Sequence, residues 1–269
     1  MLIQRHSVDY WLKNKAIDIS IKDICGEVLV HRHEFYEIEL ILSGGGFYNI
    51  DGIDYKIGRG SLFAMSPISF HHINFTENTK LINVMFTLDS CNIEFLSQLF
   101  LNEPHFSLTV PESELLFFEE ISKQAIENIN KTSQNKTLFL SALLDCFLGK
   151  VADLFCQNKY TMENTSIQYA ILFLQNNFTR KITLNEVAEI TNYTPNYFCN
   201  QFKNYTGKTF TEYLNDLRFS FALKLLRNTN ISVAEICIRC GFNDYSYFVK
   251  SFKKHFGTTP KNFRLSNLL

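Results

Sequence analysis

From Glu27 to about Met85 the apolar residues come in short runs rich in β-branched and aromatic side chains: EVLVHRH, EFYEIELIL, GFYNIDGIDYKIG and SLFAMS. Gly44-Gly45-Gly46, Asp51-Gly52 and Gly58/Gly60 separate them. Such runs, bounded by turn residues, predict strands. Asp51-Gly52 between YNI and IDYKI predicts a two-residue hairpin, and strands this short and closely spaced predict an antiparallel barrel or sandwich. After Pro111 the period lengthens. Leu115, Phe118, Ile121, Ala125, Ile126 and Ile129 recur at helical intervals, and a second apolar helix is predicted from about Leu138 to Phe155. Two such helices after a barrel can pack back on it or pair with a second subunit. Residues 157–165 (QNKYTMENT) are polar and aperiodic, which places a linker there. Everything beyond reads as helix.

That helical segment repeats itself. Ile182-Thr183-Leu184-Asn185-Glu186-Val187-Ala188 matches Ile231-Ser232-Val233-Ala234-Glu235-Ile236-Cys237 at an offset of 49. Tyr197-Phe198, Phe202-Lys203, Gly207 and Thr209 match Tyr247-Phe248, Phe252-Lys253, Gly257 and Thr259 at an offset of 50. The extra residue falls in the turn between the two helices of each copy, where insertions are tolerated. Local rules build each copy. Thr183 caps a helix to Ile190, Asn192-Tyr193 turn the chain, and Thr194 caps a helix that opens on Pro195 and stops at Gly207. In the second copy Ser232 and Glu235 form a capping box and Gly241 ends the first helix. Asn243 or Asp244 caps the next, Tyr245–Phe256, which Gly257 terminates and Pro260 prevents from resuming. A further capping box, Thr209-x-x-Glu212, opens a long helix to about Leu226 that joins the copies. Short helix, tight turn and second helix is the helix-turn-helix arrangement, here built twice.

Helical spacing sorts the second helices into two faces. Phe198 with Phe202, and Phe248 with Phe252, point to the core. The opposite faces carry Asn196, Cys199, Asn200 and Lys203, and Tyr245, Ser246, Val249, Lys250 and Lys253. Asn pairs bidentately with adenine and Lys reaches guanine acceptors or phosphate. Thr194 and Asn243 at the helix starts suit phosphate, and Tyr197 completes this candidate DNA-binding set.

Charge sharpens the picture. The net charge is −1, but residues 160–269 carry 13 Lys/Arg against 7 Asp/Glu, so a basic C-terminal part is joined to an acidic body. That division points to a polyanion as partner of the C-terminal part alone. Hydrophobic residues make up 46% of 269 residues, enough for the cores of two domains. No run approaches the ~20 apolar residues of a membrane span, and the N-terminal stretch lacks a signal-peptide pattern, so the cytoplasm is expected. The seven Cys are then expected to be reduced. Cys237-x-x-Cys240 lies inside a helical pattern with no second pair to complete a zinc site.

At TLNEVAEITNYTPNYFCNQFKNYTGKTFTEYLNDLRFSFALKLL and ISVAEICIRCGFNDYSYFVKSFKKHFGTTPKNFR the chain resembles the AraC/XylS family of transcription regulators, over about 100 residues. The spacing G-F-x-x-x-S-Y-F-x-x-x-F-K-x-x-F-G-x-x-P from Gly241 to Pro260 is the most specific part. Cys237 departs from the usual Ala, and Cys199 and Asn200 stand where many members place Gln or Arg, so no base preference carries over. The resemblance implies an α+β chain. Residues 1–156 would form a cupin-like antiparallel β-barrel with a helical dimerisation element. Residues 166–269 would form an all-α domain with two helix-turn-helix units joined by a long helix.

His31-x-His33-x-x-x-Glu37, followed by Gly44, resembles the first metal motif of cupins, and Pro67 with His71/His72 could stand for the second, although Ser69 replaces the expected Gly. Strand alternation puts His31, His33 and Glu37 on one face with or without a metal. Three readings stay open: metal ligands, polar contacts to an organic effector, or structural roles. The candidate effector contacts are His31, His33, Glu37, Tyr48 and His72, with no metal, cofactor or catalytic residue assigned. The expected function is sequence-specific DNA binding by a transcription regulator, an activator by family habit, responding to a small polar effector such as a sugar. Its expected partners are double-stranded DNA, that effector, RNA polymerase and a second copy of the chain, without a membrane. The rival readings are a metal-dependent cupin enzyme with a helical association tail, and a regulator whose front domain only dimerises.

Overall fold

A computed structural model describes residues 4–6, 16–129, 131, 134–155 and 165–266. The chain divides into two units, one spanning Gln4–Gln168 and the other beginning at Tyr169. The linker expected at 157–165 lies outside the described residues except for Thr165.

The first unit is built on one eight-stranded sheet: β1 (Gln4–His6), β2 (Ile17–His33), β3 (Tyr36–Ser43), β4 (Gly46–Ile50), β5 (Ile53–Ile57), β6 (Ser61–Met65), β7 (His71–Phe86) and β8 (His105–Thr109). The strand order is β1-β2-β7-β3-β6-β8, with β4 joined to both β5 and β7. It is antiparallel except for the short β1–β2 pairing. The predicted hairpin forms between β4 and β5, with Asp51 at φ 51° and Gly52 at φ 91° as a primed turn requires.

Four strands differ from expectation, two of them, β1 and β8, because they lie outside residues 27–85. β2 starts ten residues before Glu27, and β7, the longest partner of β2, was not foreseen at all. The polar stretch of β7, NFTENTK, lacks the apolar run that announces a strand. The ends of the stretch pair with β2 on one side and with β3 and β4 on the other, and the Thr76 N–H donates to the Gly45 carbonyl between β3 and β4 at 3.1 Å. The core between the strands gathers Ile41, Tyr48, Ile50, Phe63, Met65, Ile73, Phe75 and Leu81, all buried.

Helix α1 (Ile93–Phe100), also unforeseen, is capped by Asn92, whose side chain accepts the Glu94 N–H. The two predicted helices are α2 (Glu112–Ile129) and α3 (Lys136–Phe155). Helix α2 buries Leu115, Phe118, Ser122, Ala125 and Ile129, with Ile121 and Ile126 only half-buried at the edge of that stripe. Phe118 meets Phe147 of α3 edge to face, ring centres 4.8 Å apart.

From Thr165 onward every regular element among the described residues is a helix: α4 (Thr165–Asn177), α5 (Leu184–Ile190), α6 (Pro195–Thr206), α7 (Phe210–Asn228), α8 (Val233–Arg239), α9 (Tyr245–Phe256) and α10 (Pro260–Ser266). The capping boxes Thr183/Glu186 and Thr209/Glu212 are complete. The third is half-formed. Ser232 accepts the Glu235 N–H, but the Glu235 carboxylate pairs instead with Arg239 one turn on, at 2.6 Å. Pro260 corrects another expectation. It begins α10, because a proline in the first turn loses no helical hydrogen bond, and Thr259 Oγ1 accepts the Asn262 N–H.

Candidate nucleic-acid interface and barrel cavity

The two helix-turn-helix copies share their backbone devices. In the first, the Tyr193 N–H returns to the Ala188 carbonyl at 2.9 Å; in the second, Phe242 N–H returns to Cys237 at 3.1 Å. Thr194 then caps α6 by accepting the Tyr197 N–H, and Asp244 caps α9 by accepting that of Tyr247. Both helices stop at a left-handed glycine, Gly207 (φ 73°) and Gly257 (φ 74°). The turn bonds keep the offset of 49 while the caps have moved to 50, so the inserted residue is Asn243. Asn243 is exposed in the turn, and Asp244, not Asn243, takes the cap.

The buried faces are Phe198 and Phe202 in α6, and Phe248 and Phe252 in α9, each fully enclosed. Outward stand Thr194, Asn196, Tyr197, Asn200 and Lys203 in the first copy, all exposed, with Cys199 half-buried. In the second, Tyr245, Ser246, Lys250 and Lys253 are exposed and Val249 is half-buried. Sequence reasoning passed over Tyr247, which is exposed like Tyr197, its counterpart in the repeat. Its hydroxyl accepts from Asn215 Nδ2 of the long helix α7 at 3.3 Å. Lys208 Nζ bonds Asp216, also on α7, at 2.6 Å. Arg218, two residues on, donates to the carbonyls of Phe178 and Arg180 at 2.8 and 2.9 Å and lies over the Phe242 ring. The long helix is thereby fastened to both copies.

In the first unit, a bulge determines what faces the barrel interior. Val28 pairs with Ile73 and His31 with His71, so β2 spends three residues where β7 spends two. The extra residue reverses the alternation, and Lys22, Ile24 and Val28 share a wall with His31 and His33. β3 adds Glu37 and Glu39, while β7 adds His71, Ile73, Phe75, Asn83 and Met85. Together they enclose a cavity of about 90 Å³.

The polar groups of this wall form one cluster. Glu37 lies 2.6 Å from His33 Nε2 and 3.5 Å from His71 Nε2, and accepts from Asn83 Nδ2 at 2.7 Å. Asn83 also reaches Glu39 at 3.2 Å. His31 Nδ1 lies 2.9 Å from the Leu29 carbonyl and His33 Nδ1 lies 3.0 Å from that of Phe35. Burial works to raise the Glu37 carboxyl, but His33, His71 and Asn83 outweigh it and hold it well below the usual carboxylate range. Burial and the neighbouring Glu37 charge raise Glu39 to about 7. Burial, then His31 and His33, push the His71 imidazole well below its ordinary value.

The predicted effector contacts divide accordingly. His31, His33 and Glu37 meet in the cluster. Tyr48 is buried beside it, its ring centre 5.9 Å from that of His71 and its hydroxyl directed at Met65 Sδ. His72 does not belong. On β7 the odd positions turn inward, so His71 enters the cavity and His72 points outward to Glu27, 3.0 Å away. His71 shares its strand position with the motif's histidine but not its number, and only the β2–β7 register reveals which is which.

A family model described as a helix-turn-helix domain matches residues 187–266. The HTH-type transcriptional activator RhaS of Escherichia coli O139:H28 is 27% identical over 274 residues, covering 96% of this chain and 96% of RhaS. Among solved structures, the C-terminal domain of the response regulator AraT from Geobacillus stearothermophilus is 31% identical, covering 38% of this chain and 84% of that one, with a TM-score of 0.37. ToxT from Vibrio cholerae O395 is 15% identical, covering 94% of this chain and 98% of that one, with a TM-score of 0.41.

Proposed function

We propose that the chain is a transcription regulator of the AraC/XylS type, that it reads a bipartite DNA site with both helix-turn-helix units, and that its barrel adjusts this reading to a small polar ligand. One observation carries the first half. Two copies with equivalent caps, stops and buried Phe pairs turn outward two rows of side chains that have no part in the core. Asn196, Asn200 and Lys203, with Cys199 at the edge, form the row of α6. Tyr245, Ser246, Lys250 and Lys253 form that of α9, where Val249 suits a thymine methyl. Thr194, Tyr197 and Asn243 address phosphates at the helix starts. Helix α7, 19 residues and so ~28 Å long, spaces the rows for successive turns of a duplex, ~34 Å apart.

The remaining assignments have separate support. Leu116, Phe117, Leu138 and Phe139 are exposed on α2 and α3, which suits pairing with a second copy. RhaS is an activator, and activation, with RNA polymerase as a further partner, is the sense we assign. No helix among the described residues is long and apolar enough to cross a membrane. The cavity of about 90 Å³ is well below the ~300–1,000 Å³ of typical small-molecule sites. A sugar therefore requires the rim to open, whereas a smaller ligand does not.

The test is selection of the full-length protein on a randomised duplex pool, followed by salt titration on the winner. The expected product is a site with two half-sites about one helical turn apart, and an affinity that falls steeply with salt. Enrichment of a single half-site, insensitive to changes in α9, would remove the second unit from the interface.

A further inference from the structure

Helix α7 joins the two helix-turn-helix copies in sequence, but the copies also touch directly. The elbow at residues 178–180, between α4 and α5, lies against the turn of the second copy. A Cβ added at Gly241 would come within 2.7 Å of the Phe178 carbonyl oxygen and 2.9 Å of the Thr179 carbonyl carbon. Only a glycine lets main chain approach main chain this closely.

Arg218, half-buried near the middle of α7, holds this junction. Its Nε donates to the Phe178 carbonyl at 2.8 Å and its Nη2 to the Arg180 carbonyl at 2.9 Å, one on either side of Thr179. The guanidinium carbon also lies 5.4 Å from the centre of the Phe242 ring. One side chain thus grips the first copy by two hydrogen bonds and the second by a ring face. A planar fork suits the task, since its donors fix direction as well as distance and its flat face stacks on an aromatic ring. Carbonyl partners matter too. They belong to the main chain and cannot swing through rotamers as a carboxylate side chain does.

Each end of the grip leads to a reading helix within a few residues. On one side Arg180 pairs with Glu186 at 2.7 Å, and Glu186 completes the capping box that starts α5. On the other, Phe242 stacks on Phe219 of α7, ring centres 5.3 Å apart, two residues before Asp244 caps α9.

We propose that Arg218 is a positioning residue: it fixes the orientation of α9 relative to α6, and thereby the half-site spacing that the protein accepts. The spacing clause rests on the bipartite reading proposed above, whereas the orientation clause does not. Arg218 stands outside both reading rows, so it acts through geometry and not through contact with bases.

The experiment uses the full-length chain and has two parts. The first is a distance measurement without DNA, by double electron–electron resonance between spin-labelled non-canonical residues at Asn204 and Lys254, exposed equivalents in the repeat. The wild type is expected to give one narrow distance. Arg218→Met keeps an apolar stem over Phe242 but loses both donors, and should broaden or shift it. Arg218→Lys, able to reach one carbonyl, should fall between, while Ser232→Ala, which removes only a helix cap, should match the wild type. The second part uses duplexes carrying the selected half-sites at their best spacing and two base pairs further apart, a rotation of roughly 70°. The wild type is expected to lose about 100-fold in affinity on the longer spacer, where simultaneous engagement is lost. In Arg218→Met the loss should fall below about tenfold, with affinity for a single half-site unchanged.

The same narrow distance in wild type and Arg218→Met would overturn the proposal, as would a broad one in the wild type. A broadened distance with an unchanged spacing penalty would overturn the link to DNA. If the wild type selects no bipartite site, the proposed reading fails, and the distances alone decide the role of Arg218. Circular dichroism shows that each variant folds; if Arg218→Met does not, Arg218→Lys decides by the same measurements.

Discussion

The two helix-turn-helix copies have the same skeleton and different skins. Turn bond, cap, buried Phe pair and terminal glycine recur in register, yet Asn196, Cys199 and Asn200 in α6 become Ser246, Val249 and Lys250 in α9. The skeleton answers to backbone hydrogen bonding and packing, which admit few solutions. The reading face answers to whatever lies opposite it. The interiors differ too. The first copy packs Phe198 and Phe202 against Phe210 and Tyr213, whereas the second gathers Phe219, Phe242, Phe248, Phe252, Phe256 and Phe263.

That contrast in the interior gives the largest expected effects. Phe202→Ala and Phe252→Ala each remove a fully buried ring and are expected to cost about 3–5 kcal/mol. Phe252, with more aromatic neighbours, should lie at the upper end. Urea melts of both variants check this, and an equal or reversed order would mean that the extra rings of the second copy add no packing energy. The turns come next. Gly241 has φ 80°, and a Cβ there would lie 2.7 Å from the Phe178 carbonyl oxygen and 2.9 Å from the Thr179 carbonyl carbon. Asn192, its counterpart, holds φ 56° with a side chain. Gly241→Ala is therefore expected to cost about 3 kcal/mol, from backbone strain and overlap together, and Asn192→Gly less than about 1 kcal/mol. A mild Gly241→Ala in the same melts would show that the Phe178–Thr179 segment yields.

How much of this was legible follows the distance over which each feature is decided. Thr183, Thr194, Thr209, Ser232 and both terminal glycines act within a few residues, so the second unit could be read almost to its boundaries. Pro260 misled because a proline that stops one helix is equally suited to start the next. The barrel was less open. Short strands and the Asp51-Gly52 turn were visible, but β7 is held by partners far along the chain, and its polar middle reads like a loop. The cluster depends on the same long-range pairing. An extra residue before His31 and the register of β7 bring His71 into the cavity and turn His72 out, and neither event leaves a local mark.

On the reading faces the expected effects are smaller and specific to DNA. Lys250→Ala is expected to cost about 1–3 kcal/mol of affinity if it meets a base, or to weaken all sequences alike and reduce the salt slope by about one if it meets phosphate. Asn200→Ala, at the equivalent position, removes no charge and should change base preference at one half-site while leaving the salt slope intact. Competition binding at several salt concentrations separates these outcomes. If the two variants behaved alike, the copies would differ in appearance only.

The caps give the finest contrast, because equivalent residues do the same local work with different charge. Thr194→Ala and Asp244→Ala each leave a helix N–H without its side-chain acceptor and are expected to cost about 1 kcal/mol of stability. Asp244, however, also places a negative charge at the start of a helix proposed to enter the groove, where phosphates approach. Asp244→Asn keeps a capping oxygen, since Asn caps as well as Asp, and removes only the charge. Its stability should stay near that of the wild type while DNA affinity rises, most at low salt, where screening is weakest. Thr194→Ser, which keeps its cap without a charge change, should alter neither. A lower affinity for Asp244→Asn would mean that this carboxylate accepts a hydrogen bond from a base, and the start of α9 would then read sequence rather than merely seat the helix.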